Sequence, residues 1–288
     1  GDLESALKLL GFPGLALDGL TSWESLDSSL VSGVDQEKGS ETLFDVLVVG
    51  AGHAGCEAAL AAARMGASVA VLTHDVERVG WMSCNPAIGG VGKSHLAREV
   101  DALGGVMAEA ADRAVIQYRQ LNTRKGPAVR ATRVQCDKWL YAKAVRERVE
   151  GQEGLTLIEA EVSDLVVDRS SGRPCVTGVD TAAGVRHQAA TVVITTGTFL
   201  RGICHYGEES RPGGWADDQA SYGLSVSLEK LGFELRRLKT GTVPRLERSS
   251  IDWSRLEVQP GDTHPSPLAM YGDGIVLDQV PCHITYTN

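Results

Sequence analysis

The clearest apolar run in the chain is Phe44-Asp45-Val46-Leu47-Val48-Val49, rich in β-branched residues and closed by Gly50, the pattern of a buried parallel strand. The alanine-rich stretch Ala54 to Met65 stops at Gly66 and predicts a helix, and Ser68 to Leu72 predicts the next strand. Together they make one βαβ unit within about 30 residues. Farther on, Leu155 to Val167 reads as two short strands around a turn. Ser171-Gly172 and Ala183-Gly184 punctuate a small β-meander, and Thr191 to Thr196 reads as a further buried strand ending at Gly197. Helical spacing predicts helices from Ser94 to Leu103, Lys138 to Arg148 and Tyr222 to Leu231. Val280 to Asn288 reads as an interrupted strand, and Leu3 to Leu10 as a short amphipathic helix. No internal repeat is present.

These elements predict an α/β fold with three parts. Residues 1–43 form an acidic flexible extension, 44–212 a Rossmann-like domain with a β-meander, and 213–288 the start of an inserted, incomplete second α/β region. The extension holds eight acids against two lysines, which argues against an organellar transit peptide. With 33 glycines in 288 residues, the composition suits a fold with many tight turns and close backbone approaches. Net charge is −9, so any nucleic-acid binding must come from a local patch. The six cysteines (56, 84, 136, 175, 204 and 282) include no C-x-x-C pair, which predicts free thiols in a reducing compartment and no zinc framework. No run of about 18 apolar residues exists, so no membrane span is expected.

Gly50-Ala51-Gly52-His53-Ala54-Gly55 is a G-x-G-x-x-G finger between the first predicted strand and helix. Gly50 permits the tight turn, Gly52 lets a pyrophosphate approach the backbone, and Gly55 lets helix and strand pack closely. The helix N-terminus adds free N–H groups and partial positive charge. The acid that usually holds the ribose is missing at the second strand's end, where Thr73 and His74 stand and Asp75 comes late. The finger thus indicates a dinucleotide without saying which. The meander and returning strand are the arrangement of two-dinucleotide flavoproteins.

Ala87 to Ser94 fits a relaxed phosphate-loop pattern. We reject it because Trp81 to Pro86 is turn-like and contains a proline, whereas a phosphate loop follows a buried strand. The better reading is a glycine-rich loop packing its backbone against a flat cofactor. Cys84 lies in the polar turn before it, where a packed, inert thiol and an activated one are both open readings. Gln117 to Arg148 carries nine Lys or Arg against two acids. Its densest part, Arg124 to Arg133 with Arg124, Lys125, Arg130 and Arg133, is a loop suited to phosphate recognition. From Lys138 onward a solvated helix face is the competing reading. Arg236 to Arg245, with Lys239 and Arg245, is a second basic run that adds to the case for a polyanionic, nucleic-acid partner.

These residues resemble the MnmG (GidA) family of tRNA uridine 5-carboxymethylaminomethyl modification enzymes. The likeness runs from Phe44 to Asn288. It is carried in order by the finger continuing as Cys56-Glu57-Ala58-Ala59, Met82 to Gly92, Glu99 to Gly105, Lys125 to Arg133, Gly197 to Leu200, Leu238 to Thr242, and Val280 to Asn288. Ser94 stands where that family usually has Gly, Val243 where it usually has Pro, and Trp215 to Gly223 departs from its pattern. The resemblance implies an FAD enzyme that modifies the wobble uridine of tRNA with a GTPase partner of the MnmE type. NADH would be the reductant and a folate the one-carbon donor. It further implies a homodimer, joined by the GTPase into a heterotetramer, in the cytoplasm or, in a eukaryote, in the mitochondrial matrix or plastid.

By position, Gly50 to Gly55 would hold the FAD pyrophosphate, Val162 the adenine through its backbone, and Ser221 a further FAD contact. Cys84 matches a functionally important cysteine of that family. The family's other such cysteine, its last FAD motif and its helical region for GTPase and tRNA contacts are expected beyond Asn288, which makes residues 1–288 an incomplete N-terminal portion. Three rivals stand beside this reading. They are a folate- and FAD-dependent tRNA uracil-5-methyltransferase, a non-catalytic dinucleotide-binding fragment, and a disulfide reductase flavoprotein, the last disfavoured because its C-x-x-x-x-C is absent.

Overall fold

The computed structural model describes residues 43–214, 220–272 and 274–287, so the expectations for the acidic extension and for Leu3 to Leu10 fall outside the described residues. Strand β1 (Leu43–Val49) leads into helix α1 (His53–Arg64) and strand β2 (Val69–Thr73). The chain then leaves the sheet and builds a separate layer. This layer comprises β3 (Ala87–Gly89), α2 (Lys93–Ala102), α3 (Met107–Ala114), β4 (Val115–Leu121), β5 (Ala131–Cys136) and α4 (Lys138–Glu150). It returns as β6 (Leu155–Glu159), and β7 (Val162–Asp168), β8 (Cys175–Thr181) and β9 (Arg186–Ile194) follow. A hairpin of β10 (Ile203–Tyr206) and β11 (Glu209–Pro212), helix α5 (Gly223–Lys230), and the paired strands β12 (Glu257–Gln259) and β13 (Cys282–Ile284) complete the described chain.

The main sheet runs β6-β2-β1-β9-β8-β7. Its first four strands are parallel, whereas β7, β8 and the first half of β9 form the antiparallel meander. Strand β1 reads as continuously apolar because both its faces are covered. Val48 packs with Cys56, Ala59 and Leu60 of α1, while Leu47 packs on the other side with Val162 and Leu224. The buried positions of α1, Cys56, Ala59, Leu60 and Ala63, follow the i, i+3, i+4, i+7 stripe of a helix with one face in the core. The α/β fold class and the meander therefore follow the sequence expectation.

Leu155 to Val167 is two strands around a turn, as expected, and β6 and β7 form opposite edges of the sheet. One expectation needs correction: Arg124 to Arg133 is a loop only as far as Arg130, because β5 begins at Ala131 and forms with β4 a hairpin whose antiparallel sheet also takes in β3. Helix α3, not expected from the sequence, is only eight residues long; it buries Ala108, Ala110, Ala111, Asp112 and Ala114 and turns Glu109 and Arg113 to ion pairs with α4.

Residues 267–270 strap across this second layer. Leu268 is fully buried, and the Asp112 carboxylate accepts from the backbone N–H of Leu268 (2.9 Å) and Ala269 (2.8 Å). Arg98 donates to the Pro267 carbonyl at 3.1 Å, and the Met270 N–H donates to Asp101 at 2.7 Å. Burial pushes the Asp112 carboxyl up, against the pull of the Ala269 and Leu268 donors. Asp112→Ala leaves two inward-facing N–H groups without an acceptor and is expected to cost about 3 kcal/mol in a urea melt. A loss below about 0.5 kcal/mol would show that Leu268 packing alone holds the strap.

Candidate functional site

The carboxyl ends of β1, β2 and β9 meet at the finger. The Gly50 N–H donates to the Leu72 carbonyl (2.8 Å) and the Thr195 N–H to the Val49 carbonyl (2.9 Å). Gly50 has φ +100°, and a Cβ there would lie 2.5 Å from the Thr195 carbonyl oxygen. A Cβ on Gly55 would lie 1.8 Å from the Gly50 oxygen, so only glycine lets α1 approach the turn this closely. A Cβ on Gly52, by contrast, meets nothing within 4 Å. Gly52 caps α1 without a side-chain hydrogen bond, and no acid occupies the helix's first turn. This is an open cradle of backbone N–H groups at a helix N-terminus, and it fits a pyrophosphate.

Thr195 is a contributor that sequence reasoning missed. Its hydroxyl donates to the Val49 (2.8 Å) and Gly50 (3.1 Å) carbonyls and so braces the turn from the β9 side. Its only signal was its place at the end of a buried strand. His53 stacks on Tyr141 with centroids 5.4 Å apart, and burial lowers its imidazole pKa, favouring the neutral form. Asp75, the late acid, accepts from Glu77 N–H (2.9 Å) and pairs with Arg78 (3.0 Å), so it serves its own turn. Ala51 and Ala54 complete the finger, Ala51 buried and Ala54 exposed.

Val162 opens β7 two residues after Ala160, whose N–H donates to the Thr73 carbonyl at the end of β2 (2.8 Å). Its side chain is buried in the core. Ser221 is pinned by its backbone to the segment that follows β9, donating to the Phe199 carbonyl (3.0 Å) and accepting from Arg201 N–H (2.8 Å). Both positions therefore connect to the strand ends around the finger.

The phosphate-loop pattern fails structurally as well. Its first half is β3, and the Ser94 hydroxyl is spent within the protein, donating to the Gly90 carbonyl (3.1 Å) and accepting from Thr132 N–H (3.1 Å). Cys84 is half-buried in the turn before β3, with its carbonyl accepting from Arg245 at 2.7 Å. The turn is tied to the finger through Gly80 N–H to the Ala51 carbonyl (2.9 Å), and to β5 through Cys136 N–H to the Pro86 carbonyl (2.7 Å). Burial pushes the Cys56 and Cys136 thiols up to about 12. We expect brief alkylation of the folded protein, read by mass spectrometry, to label exposed Cys175 and half-buried Cys84 and to spare Cys56 and Cys136. Early label on Cys56 would contradict this.

The basic segment divides in two. Along α4, Lys143 faces Glu147 (3.9 Å), Arg146 pairs with Glu77 and Glu150 (both 2.6 Å), and Arg148 pairs with Glu109. That part is a solvated, acid-matched helix face. On the β4–β5 hairpin, Arg124, Lys125, Arg130 and Arg133 are exposed and have no ion-pair partner among the described residues. Arg133 stands directly opposite Arg119 across the hairpin, a like-charged pair that an anion would relieve. In the second run Lys239 is exposed, and Arg245 is the residue that reaches the Cys84 turn.

Comparison with known proteins places this arrangement. The family model described as glucose inhibited division protein A, GidA, matches residues 45–288. The chain is 54% identical over 245 residues to the tRNA uridine 5-carboxymethylaminomethyl modification enzyme MnmG of Geotalea uraniireducens, covering 85% of this chain and 39% of that protein. The MnmG of Geobacter metallireducens matches at the same identity and coverage. Among solved structures, GidA of Aquifex aeolicus in its form II crystal superposes with a TM-score of 0.80 at 43% identity, over 85% of this chain and 41% of that one. The chain thus spans about two fifths of the length of the relatives it matches. Among the described residues no helix is long and apolar enough to cross a membrane. With a family match over 45–288 on a parallel sheet that carries the finger at its carboxyl edge, the chain belongs to the GidA family and has its Rossmann-like FAD-binding fold.

Proposed function

We propose that this chain is the FAD-binding part of an enzyme that installs a 5-carboxymethylaminomethyl-type group on the wobble uridine of tRNA. The observation that carries the reading is the juxtaposition of the open cradle at Gly52 with the Cys84 turn, in a chain 54% identical to an enzyme named for that modification. The cradle, from Gly50 to Gly55, holds the FAD pyrophosphate on backbone N–H groups. Val162 holds the adenine through its backbone, and Ser221 makes a further FAD contact. Bound there, the flavin supplies hydride or one-carbon transfer, with NADH as reductant and a folate as carbon donor.

The protein's own groups do the rest. The exposed guanidinium and ammonium groups of Arg124, Lys125, Arg130, Arg133 and Lys239 hold the tRNA backbone, and Arg245 orients the Cys84 turn. The Cys84 sulfur adds to the 6-position of the uracil ring, which makes the 5-position nucleophilic. Once the new bond to carbon 5 has formed, the proton on that carbon passes to a base or to water and the sulfur leaves by β-elimination, restoring the ring. A GTPase of the MnmE type is the partner, and the working unit is a homodimer within a heterotetramer.

Nucleoside analysis of tRNA from cells in which this gene is disrupted tests the reading. Loss of the modified wobble uridine with 5-methyluridine intact supports it. Loss of 5-methyluridine with the wobble position intact would replace it by the methyltransferase reading.

A further inference from the structure

An aromatic cluster borders the Cys84 turn and has no part in the chemistry above. Asp137 caps α4 by accepting from Trp139 N–H (2.9 Å) and Leu140 N–H (3.1 Å), which fixes the helix's first turn. Trp139 projects from that fixed turn with 66% of its surface exposed. Its ring packs edge-on against Trp81, centroids 4.6 Å apart at 70°. The Lys138 ammonium lies 4.9 Å from the Trp81 ring and 5.4 Å from the Trp139 ring. Trp81 is held in turn by the chain around it, since the neighbouring Gly80 bonds to Ala51 of the finger.

A rigidly mounted tryptophan left this open loses the favourable burial its surface normally gains. What would cover it is constrained by charge. The cation sits over the rings themselves, and Arg133, on the β5 strand that runs into this helix, is exposed and has no ion-pair partner among the described residues. A flat ring carrying a negative group beside it matches both features, and an unpaired nucleotide is such a ligand. We propose that Trp139, backed by Trp81 and Lys138, is a stacking platform for an unpaired base of the RNA substrate, with Lys138 on the flanking phosphate. The proposal rests on the tRNA reading and adds to it a base contact that the basic residues do not supply. Trp139 is three residues past Cys136, whose N–H bonds to Pro86, so the platform sits beside the turn that presents Cys84.

The test uses the purified chain, a fluorescent single-stranded oligouridine, and a perfect RNA duplex of the same length. Wild type is expected to bind both, with its tryptophan emission quenched by the single strand. Trp139→Ala is expected to weaken single-strand binding about tenfold while leaving duplex affinity unchanged, because the duplex engages phosphates only. Trp139→Phe keeps a stacking ring and is expected to recover most of the loss. Both variants change an exposed side chain and are expected to melt with wild type. Single-strand binding unchanged in Trp139→Ala, or duplex and single strand weakened alike, overturns the platform. If wild type binds neither RNA, the tRNA-backbone reading fails and the platform with it. If it binds RNA and Trp139→Ala instead shifts the sedimentation from dimer to monomer, the face is a subunit contact and the platform alone is wrong.

Discussion

Gly52→Val is expected to abolish flavin binding while leaving the fold close to wild-type stability, and Gly55→Ala is expected to damage the fold itself. The two glycines lie three residues apart in one motif, yet their surroundings are opposite. A side chain on Gly52 meets open space, and its backbone has ordinary dihedrals (φ −74°, ψ −171°), so valine is accommodated at roughly 1 kcal/mol for a poorer cap. The space it fills is the proposed seat of the pyrophosphate, and on that reading an affinity loss of at least about 100-fold, worth about 2.7 kcal/mol, is expected. On Gly55 even a methyl group would lie 1.8 Å from the Gly50 oxygen and 2.8 Å from the Thr195 hydroxyl. Backbone cannot yield as a flexible side chain can, so strand and helix must separate. A cost of about 3 kcal/mol, or roughly 10 °C in melting temperature, follows. Thermal melts of the purified variants and a fluorescence titration with FAD separate the two effects. A Gly52→Val protein that keeps wild-type FAD affinity would remove the finger from the site.

Cys84→Ser is expected to reduce wobble modification by at least about 10³-fold while flavin content stays at wild-type level, because a serine hydroxyl is a far weaker nucleophile near neutral pH. The substitution is conservative in volume at a half-buried position, and the hydrogen bond from Arg245 goes to the Cys84 carbonyl, which serine retains. Modified-nucleoside levels and the flavin absorbance are therefore read on the same sample. Unchanged modification would make Cys84 a packing residue.

The first βαβ unit was legible in the sequence because its strands are buried on both faces and its helix on one, so hydrophobic pattern and burial coincide. Gly50, Gly52 and Gly55 could be assigned roles because each role is a steric one. In the second layer helices α2 and α4 were legible from their spacing, but the strands β3, β4 and β5 were not. Strand β4, Val-Ile-Gln-Tyr-Arg-Gln-Leu, carries polar residues that bond across to the 259–279 segment, as Gln117 does to the Gln259 carbonyl (2.9 Å). Partners so distant leave no local trace. The division of the basic segment at Lys138 stood in the sequence as a competing reading, and the partners that decide it are partly distant: Arg148 is matched by Glu109, 39 residues away, and Arg146 by Glu77. Arg124, Lys125, Arg130 and Arg133, on the β4–β5 hairpin, have no ion-pair partner among the described residues and remain open to an anion.

The central claim is tested most directly by a chimera. Residues 45–288 would replace the matching segment of the Geotalea uraniireducens enzyme, in a strain that lacks its own copy. Restored 5-carboxymethylaminomethyl-type uridine in the tRNA, lost again with Cys84→Ser, is the predicted result. A chimera that folds and binds FAD yet leaves the wobble uridine unmodified would contradict it.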